Sequence, residues 1–302
     1  MSNQVDSLEL TSPVIWTPTT AKEAFELKEK FANKAEFASG ATLLQLQWTN
    51  GRKVPENLIS LEQILALKTI QFDQNQAVLS IGAGTALGSY QTNKLLKEFP
   101  NICDALKSIA APGIRNRGTI GGNIMGGIGD LLPFLLSLNA KLIFVEGQET
   151  TEVDLWEWLQ QSARKEQLLT HIWIPLDKEI LETYSFYRKV GRRETFTAAI
   201  LTVSGKFVWD ESGTILKAIL AIGGGENRPM RLTKTEQSII GKKGTQLDWK
   251  QIYSLVCDEF TPAEDVFVTG NYRKKVAANL IIAELQSQFV QNGQREEHIN
   301  EI

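Results

Sequence analysis

Soft metal ligands are scarce in this 302-residue chain: it has two cysteines, Cys103 and Cys257, and two histidines, His171 and His298. Two thiolates fall short of the four-cysteine set that an iron–sulfur cluster usually takes. No two of these four residues lie close together in sequence, so a zinc-type spacing is lacking as well. The cysteines read as small core hydrophobes, the histidines as surface or loop residues, and no metal site is expected. Redox work on this chain would therefore require an organic cofactor. An excess of one charge is also missing. Lys and Arg number 32 against 35 Asp and Glu, a formal net charge of −3, which offers no basic field for nucleic acid or an anionic membrane. Apolar runs such as 277–285 are too short to span a bilayer. The opening MSNQVDSLEL has neither the basic nor the apolar region of a signal peptide. A cytoplasmic location is the expectation. At 42% hydrophobic and 22% charged, the composition is that of an ordinary globular protein, long enough for one large domain or two medium ones.

The first half alternates short helices with strands. Residues 20–33 carry a helical apolar pattern (Ala21, Ala24, Phe25, Leu27, Phe31) behind Thr20, a natural N-cap. A short apolar run, 35–38, ends in Ser39-Gly40-Ala41-Thr42, and Asn50-Gly51 signals a turn. Strands are expected at 57–59, 77–81, 140–145 and 168–174, and helices at 61–67, 92–98 and 131–138, the second of these stopping at Pro100. Beyond about residue 180 the pattern becomes strand and turn (185–190, 198–207, 215–222). It then ends in helices at 249–259 and 270–290, the last with Tyr272, Val276, Leu280, Ala283 and Leu285 as its core face. An α+β chain is expected, with domains at 8–178 (subdomains about 8–60 and 61–178) and 179–290 and a polar, frayed tail at 291–302.

Two glycine turns could carry chemistry. In Phe37-Ala38-Ser39-Gly40-Ala41-Thr42-Leu43 a strand runs into small residues whose backbone N–H groups can face an anion. The stretch 118–129 holds six glycines, flanked or interleaved by Thr119, Asn123 and Asp130. A hydroxyl, an amide and a carboxylate among glycines suit phosphate and sugar hydroxyls. The bland alternative is that these glycines only permit close packing. A third turn, Gly82-Ala83-Gly84-Thr85-Ala86-Leu87-Gly88, imitates a dinucleotide fingerprint, but its third glycine falls one residue late, and a structural turn is expected there. The cations of Arg188-Lys189-Val190-Gly191-Arg192-Arg193 read either as a solvated edge or as charge beside a cofactor. No convincing general base stands out.

Arg115-Asn116-x-Gly-Thr-Ile-Gly-Gly-Asn123, followed by Asp130-Leu-Leu-Pro133, resembles the FAD-binding subunits of molybdenum hydroxylases, such as the medium subunits of bacterial xanthine and carbon monoxide dehydrogenases. The resemblance spans nearly the whole chain. It continues through 38–43, Gly82-Ala83-Gly84, Ile174-Pro175, Arg192-Arg193-Glu194, Gly223-Gly224 and Tyr272-Arg273-Lys274. It implies a vanillyl-alcohol-oxidase-like FAD module of two subdomains (the PCMH type), followed by a C-terminal domain of antiparallel sheet and helices. It implies that the loop from Phe37 through Leu43 holds the FAD pyrophosphate together with Thr119, Gly121, Gly122 and Asn123. Asp130 would bind ribityl or ribose hydroxyls, Ile109 and Leu169 would pack on the flavin, and Arg188 would supply a cation. It further implies a large partner with the molybdenum cofactor and a small partner with 2Fe–2S clusters, assembled as a dimer of heterotrimers. Electrons would pass through FAD to NAD+, with purine (xanthine) oxidation the first expectation for the complex. Two departures stand out: Ser39 replaces a glycine, and the 123–130 connection is short. The absence of a cysteine-rich insertion excludes relatives with an extra cluster on this subunit. The rival readings are a stand-alone flavin oxidoreductase of the same fold and a scaffold that has lost its flavin.

Overall fold

The computed structural model describes residues 12–147, 149–161, 167–176, 182–192 and 199–299, with side chains up to residue 289. Three sheets organise it. The first is parallel and three-stranded, order β1-β3-β2, from β1 (Val14–Trp16), β2 (Ala35–Ala38) and β3 (Asn57–Ser60). Helix α1 (Ala21–Phe31) crosses between β1 and β2. Thr20 closes a capping box with Glu23 at its start, and Ala24 and Phe25 are its buried face. Helix α2 (Thr42–Thr49) follows β2 directly.

The second sheet is antiparallel, order β4-β5-β8-β6-β7, from β4 (Ile70–Asp73), β5 (Val78–Gly82), β6 (Lys141–Glu146), β7 (Glu149–Asp154) and β8 (Leu168–Pro175). Between β5 and β6 lie four helices, α3 (Pro100–Ser108), α4 (Pro112–Arg115), α5 (Ile120–Met125) and α6 (Leu132–Ser137), and α7 (Leu155–Gln160) follows β7. Apart from α4, whose Ile114 is exposed, their apolar faces share one core with this sheet, including Leu79, Leu106, Ile124, Phe134, Phe144 and Trp158.

The third sheet, β12-β11-β10-β9, is antiparallel: β9 (Glu182–Gly191), β10 (Ala199–Trp209), β11 (Ile215–Gly224) and β12 (Asn227–Arg231). One face takes α8 (Thr233–Ile239), α9 (Trp249–Glu259) and α10 (Gly270–Ile299), around Leu201, Phe207, Ile222 and Val256. The other face receives α6, all six residues of which are buried. There Ser137 and Ser204 hydroxyls meet at 2.8 Å, fully buried. The whole is an α+β architecture, a two-sheet module followed by a sheet-and-helix unit.

Several local expectations change. Pro100 begins α3 instead of ending a helix, because the first helical position needs no N–H and proline's fixed φ suits it. The stretch before it forms only 3-10 turns at Leu87–Gln91 and Leu96–Glu98. Leu61–Leu67 is likewise mostly irregular, with a single 3-10 turn at Leu65–Lys68. In α10 the buried stripe is Arg273, Ala277, Ala278, Ile281, Glu284 and Leu285, while Tyr272 is 49% exposed. Ala283 is exposed too. Two ion-paired residues face inward there, which disguises the stripe as polar. The backbone of α10 runs on to Ile299, past Gln291, where polarity predicts fraying. The expected boundary at 178 falls outside the described residues, as do Arg193 and Glu194.

Candidate functional site

The first glycine turn leads from β2 into α2. Ala41 occupies the left-handed region at φ 55° and stands where a capping residue would, with no side-chain bond to the helix. The leading N–H groups of an α-helix have no intrahelical partner, so α2 presents uncapped donors at this turn, the arrangement that receives anions. The second turn enters α5. Thr119 Oγ1 accepts from the Gly122 N–H at 3.1 Å and keeps its own hydroxyl hydrogen to donate.

The two turns interlock. A Cβ on Gly40 would fall 1.8 Å from the Arg117 carbonyl oxygen, and one on Gly121 2.7 Å from the Cβ and carbonyl oxygen of Ala83. Gly121 N–H donates to that same carbonyl at 2.8 Å. Thus Gly40 and Gly121 permit backbone-on-backbone packing. Gly122 differs: it is exposed, and a Cβ there would meet only Thr119 Oγ1, at 3.0 Å. It is Gly122 that offers an open backbone to a ligand.

Beside these turns lies a cavity of about 650 Å³, within the range of small-molecule and cofactor sites. Phe37, Ser39, Thr119, Gly121, Gly122 and Leu169 all line it. The rest of the first loop, Ala38, Gly40, Ala41, Thr42 and Leu43, does not line it. Leu61, Leu67 and Leu168 line it as well. The lining also carries four cations, Lys28, Lys34, Arg52 and Lys53, against two carboxylates, Glu36 and Glu56, a formal balance of plus two (4 − 2). Arg52 pairs with Glu36 at 2.8 Å and Lys34 with Glu56 at 3.2 Å. Lys28 donates to the Ala32 and Ala35 carbonyls, each at 2.8 Å. Apolar side chains, the exposed backbone of Gly122 and a net positive lining together fit a ligand with an aromatic ring system and a diphosphate.

None of the basic rim was legible as a site in sequence, because lysines and arginines on short surface elements read as solvation. Leu168 could have been found from its neighbour Leu169. Ala83 and Gly84 also line the cavity, although glycines 82 and 84 are there to pack against the Leu67 carbonyl.

The remaining predicted residues do not line this cavity. Ile109 is buried at the end of α3, its carbonyl accepting from Arg115 at 2.9 Å. The Asn123 side chain accepts from Leu131 N–H at 3.2 Å and so ties down the second loop. Asp130 faces the third sheet: its carboxylate pairs with Lys189 at 2.8 Å and accepts from Gly225 N–H at 3.4 Å, and its carbonyl accepts from Tyr187 at 3.1 Å. Burial, and then the Asp130 charge, push the Tyr187 phenol well up. Arg188 projects from the opposite face of β9 and pairs with Glu284 of α10 at 2.6 Å. Tyr184 donates to the same carboxylate at 2.5 Å, and burial together with that carboxylate pushes its phenol up to about 12. His171, on β8, lies 3.3 Å from the Thr69 hydroxyl, and burial lowers its pKa.

Residues 8–177 match the family described as the FAD binding domain in molybdopterin dehydrogenase, and 185–287 match the CO dehydrogenase flavoprotein C-terminal domain. The chain belongs to the FAD-binding subunits of the molybdenum hydroxylases. The glyceraldehyde dehydrogenase medium chain of Sulfolobus acidocaldarius is 27% identical over 264 residues, 84% of this chain and 90% of that one. The xanthine dehydrogenase/oxidase of Gallus gallus is 26% identical over 257 residues, 79% of this chain but 18% of that much longer protein. In three dimensions, carbon monoxide dehydrogenase from Hydrogenophaga pseudoflava superposes with a TM-score of 0.82 at 21% identity, covering 90% of this chain and 95% of that one. This likeness shows the expected α+β fold, an FAD-binding module followed by a C-terminal sheet-and-helix domain. FAD is thus the cofactor of the family, and the donor set and the cavity fit it. Among the described residues no helix is long and apolar enough to cross a membrane, and no cluster of His, Cys, Asp or Glu could hold a metal ion.

Proposed function

We propose that this chain is the FAD-carrying electron-transfer subunit of a cytoplasmic molybdenum hydroxylase, receiving electrons from 2Fe–2S clusters on a small partner and passing them to NAD+. The observation that carries the reading is the interlocked pair of glycine turns beside a cavity lined by apolar side chains and by four cations. FAD, when bound, supplies a store for one or two electrons and a route for their release as hydride.

The chain's own residues bind and orient. The uncapped N–H groups at the start of α2, the exposed backbone of Gly122 and the Thr119 hydroxyl would hold the diphosphate. Phe37, Leu168 and Leu169 would enclose an apolar ring, and the cationic rim would offset the phosphate charge. Ile109 would pack on the flavin side, with Asn123 keeping the second loop in place. The roles expected for Asp130 and Arg188 are weaker, because Lys189 and Glu284 already engage them. Under this reading the first module is 8–178 and the second 179–290. A molybdenum-bearing large subunit and a 2Fe–2S small subunit complete the enzyme, as a dimer of heterotrimers, with a purine as the first substrate to try.

Anaerobic addition of NADH to the FAD-loaded chain tests the acceptor. Bleaching of the flavin spectrum is expected. A flavin that stays oxidised with NADH yet reduces with dithionite would exclude NAD+ as the partner of this subunit.

A further inference from the structure

Three consecutive carbonyls at the end of α3 are captured by two cations. Lys189 Nζ donates to Ser108 O at 3.1 Å, and Arg115 donates to Ile109 O at 2.9 Å and to Ala110 O at 2.5 Å. Ala110 sits at φ 47°, in the left-handed region, which costs a non-glycine residue energy and persists only where the surroundings hold it. Arg115 is buried and comes from α4, within the same module. Lys189 comes from β9 of the third sheet, and the same ammonium pairs with Asp130, at the end of the second glycine loop, at 2.8 Å. Both partners are largely enclosed, at 12% and 15% side-chain exposure. One side chain of the C-terminal unit thus joins the turn before Ile109 to the loop after Asn123.

We propose that Lys189 is a positioning residue for the flavin: by clamping the Ser108 carbonyl to the Asp130 carboxylate, it fixes the 108–110 turn against the second glycine loop and links the C-terminal sheet to the cofactor site. The proposal rests on the flavin reading above. Its neighbour Arg188 points the other way along the strand, to Glu284, so the clamp is specific to position 189. A buried pair robbed of one member leaves an uncompensated charge, so loss of Lys189 frees Asp130 and loosens both the turn and the loop.

The test uses the purified full-length chain, stripped of cofactor and retitrated with FAD, as wild type, Lys189→Met and Lys189→Arg. Three quantities are read: the melting temperature without FAD, the FAD dissociation constant, and the visible circular dichroism of the bound flavin. The Met variant should raise the dissociation constant about tenfold, the size expected of a group that orients direct contacts. It should also change the flavin dichroism, and the Arg variant should restore both. A Met variant that melts lower but binds FAD with unchanged affinity and dichroism would overturn the proposal and leave Lys189 a latch of the fold. If Met does not fold, Lys189→Gln, which keeps a donor without the charge, is read in the same way. Wild-type chain that takes up no FAD at all would overturn the flavin reading itself, and the proposal with it.

Discussion

The carbonyl oxygen of Arg117 lies 1.8 Å from where a Cβ on Gly40 would stand, so the first loop rests on the backbone of the second. Both loops are anchored behind that contact, Gly40 by β2 and Arg117 by the turn whose Gly118 N–H donates to Ile114 O. Gly40→Ala must therefore pry them apart. A cost at or above the about 1–3 kcal/mol typical of overpacking is expected. FAD retention should fall together with the melting temperature of the FAD-free chain.

Gly122→Ala should separate those two effects. Its Cβ meets only the Thr119 hydroxyl, and alanine in a helix is favoured over glycine by up to about 1 kcal/mol. The FAD-free variant should melt close to wild type while FAD titration shows weakened binding. Equal weakening by Gly40→Ala and Gly122→Ala, with equal loss of stability, would show that position 122 is packing as well.

His171 gives a pH signature. Burial depresses its folded-state pKa below the unfolded value of about 6.5, so the unfolded chain binds the proton first as pH falls. Its contribution is intact above about 6.5 and is lost as pH drops through the folded-state pKa. Denaturant midpoints at pH 7.5 and pH 5.5 (conditions about one unit either side of the free imidazole value) should differ more for wild type than for His171→Gln. Parallel shifts in the two proteins would remove the histidine from the account.

Tyr184 titrates in the opposite direction. Its pKa is raised to about 12, by burial first and by Glu284 second. Its share of stability is therefore present below the free phenol value and is lost as pH rises through the folded-state one. Glu284→Gln removes the carboxylate charge and should lower the Tyr184 pKa part of the way, visible as earlier phenolate absorbance in an alkaline titration. An unchanged titration would mean that burial alone sets it.

Much of the fold was legible where pattern and local chemistry agree. Thr20 ahead of an apolar helical pattern announced α1, and the strands at 57–59, 168–174 and 215–222 were visible as apolar runs. Pro100 was misread because proline opens a helix as readily as it stops one. On the inner face of α10, Val276, Leu280 and Leu285 pack on the core as expected, but Tyr272 and Ala283 do not, and Arg273 and Glu284 were missed because they point inward to partners distant in sequence, Asp265 and Arg188. At the site, the glycines were easy to see but not what each one does: Gly121 looked like a place for a ligand to approach, and it packs on Ala83. Gly121→Val would thus disturb the fold before it disturbs a cofactor. The cationic rim and the Lys189 clamp join residues whose proximity only the tertiary structure creates.

The most direct test of the central claim is the absorbance spectrum of the purified chain, paired with its melting temperature with and without added FAD. The account predicts the bands of an oxidised flavin, release of FAD on heating, and no iron absorbance. With FAD at about 100 times its dissociation constant, it predicts a gain of about 2.7 kcal/mol in stability. A colourless chain that stays colourless after incubation with FAD and melts at the same temperature would contradict it.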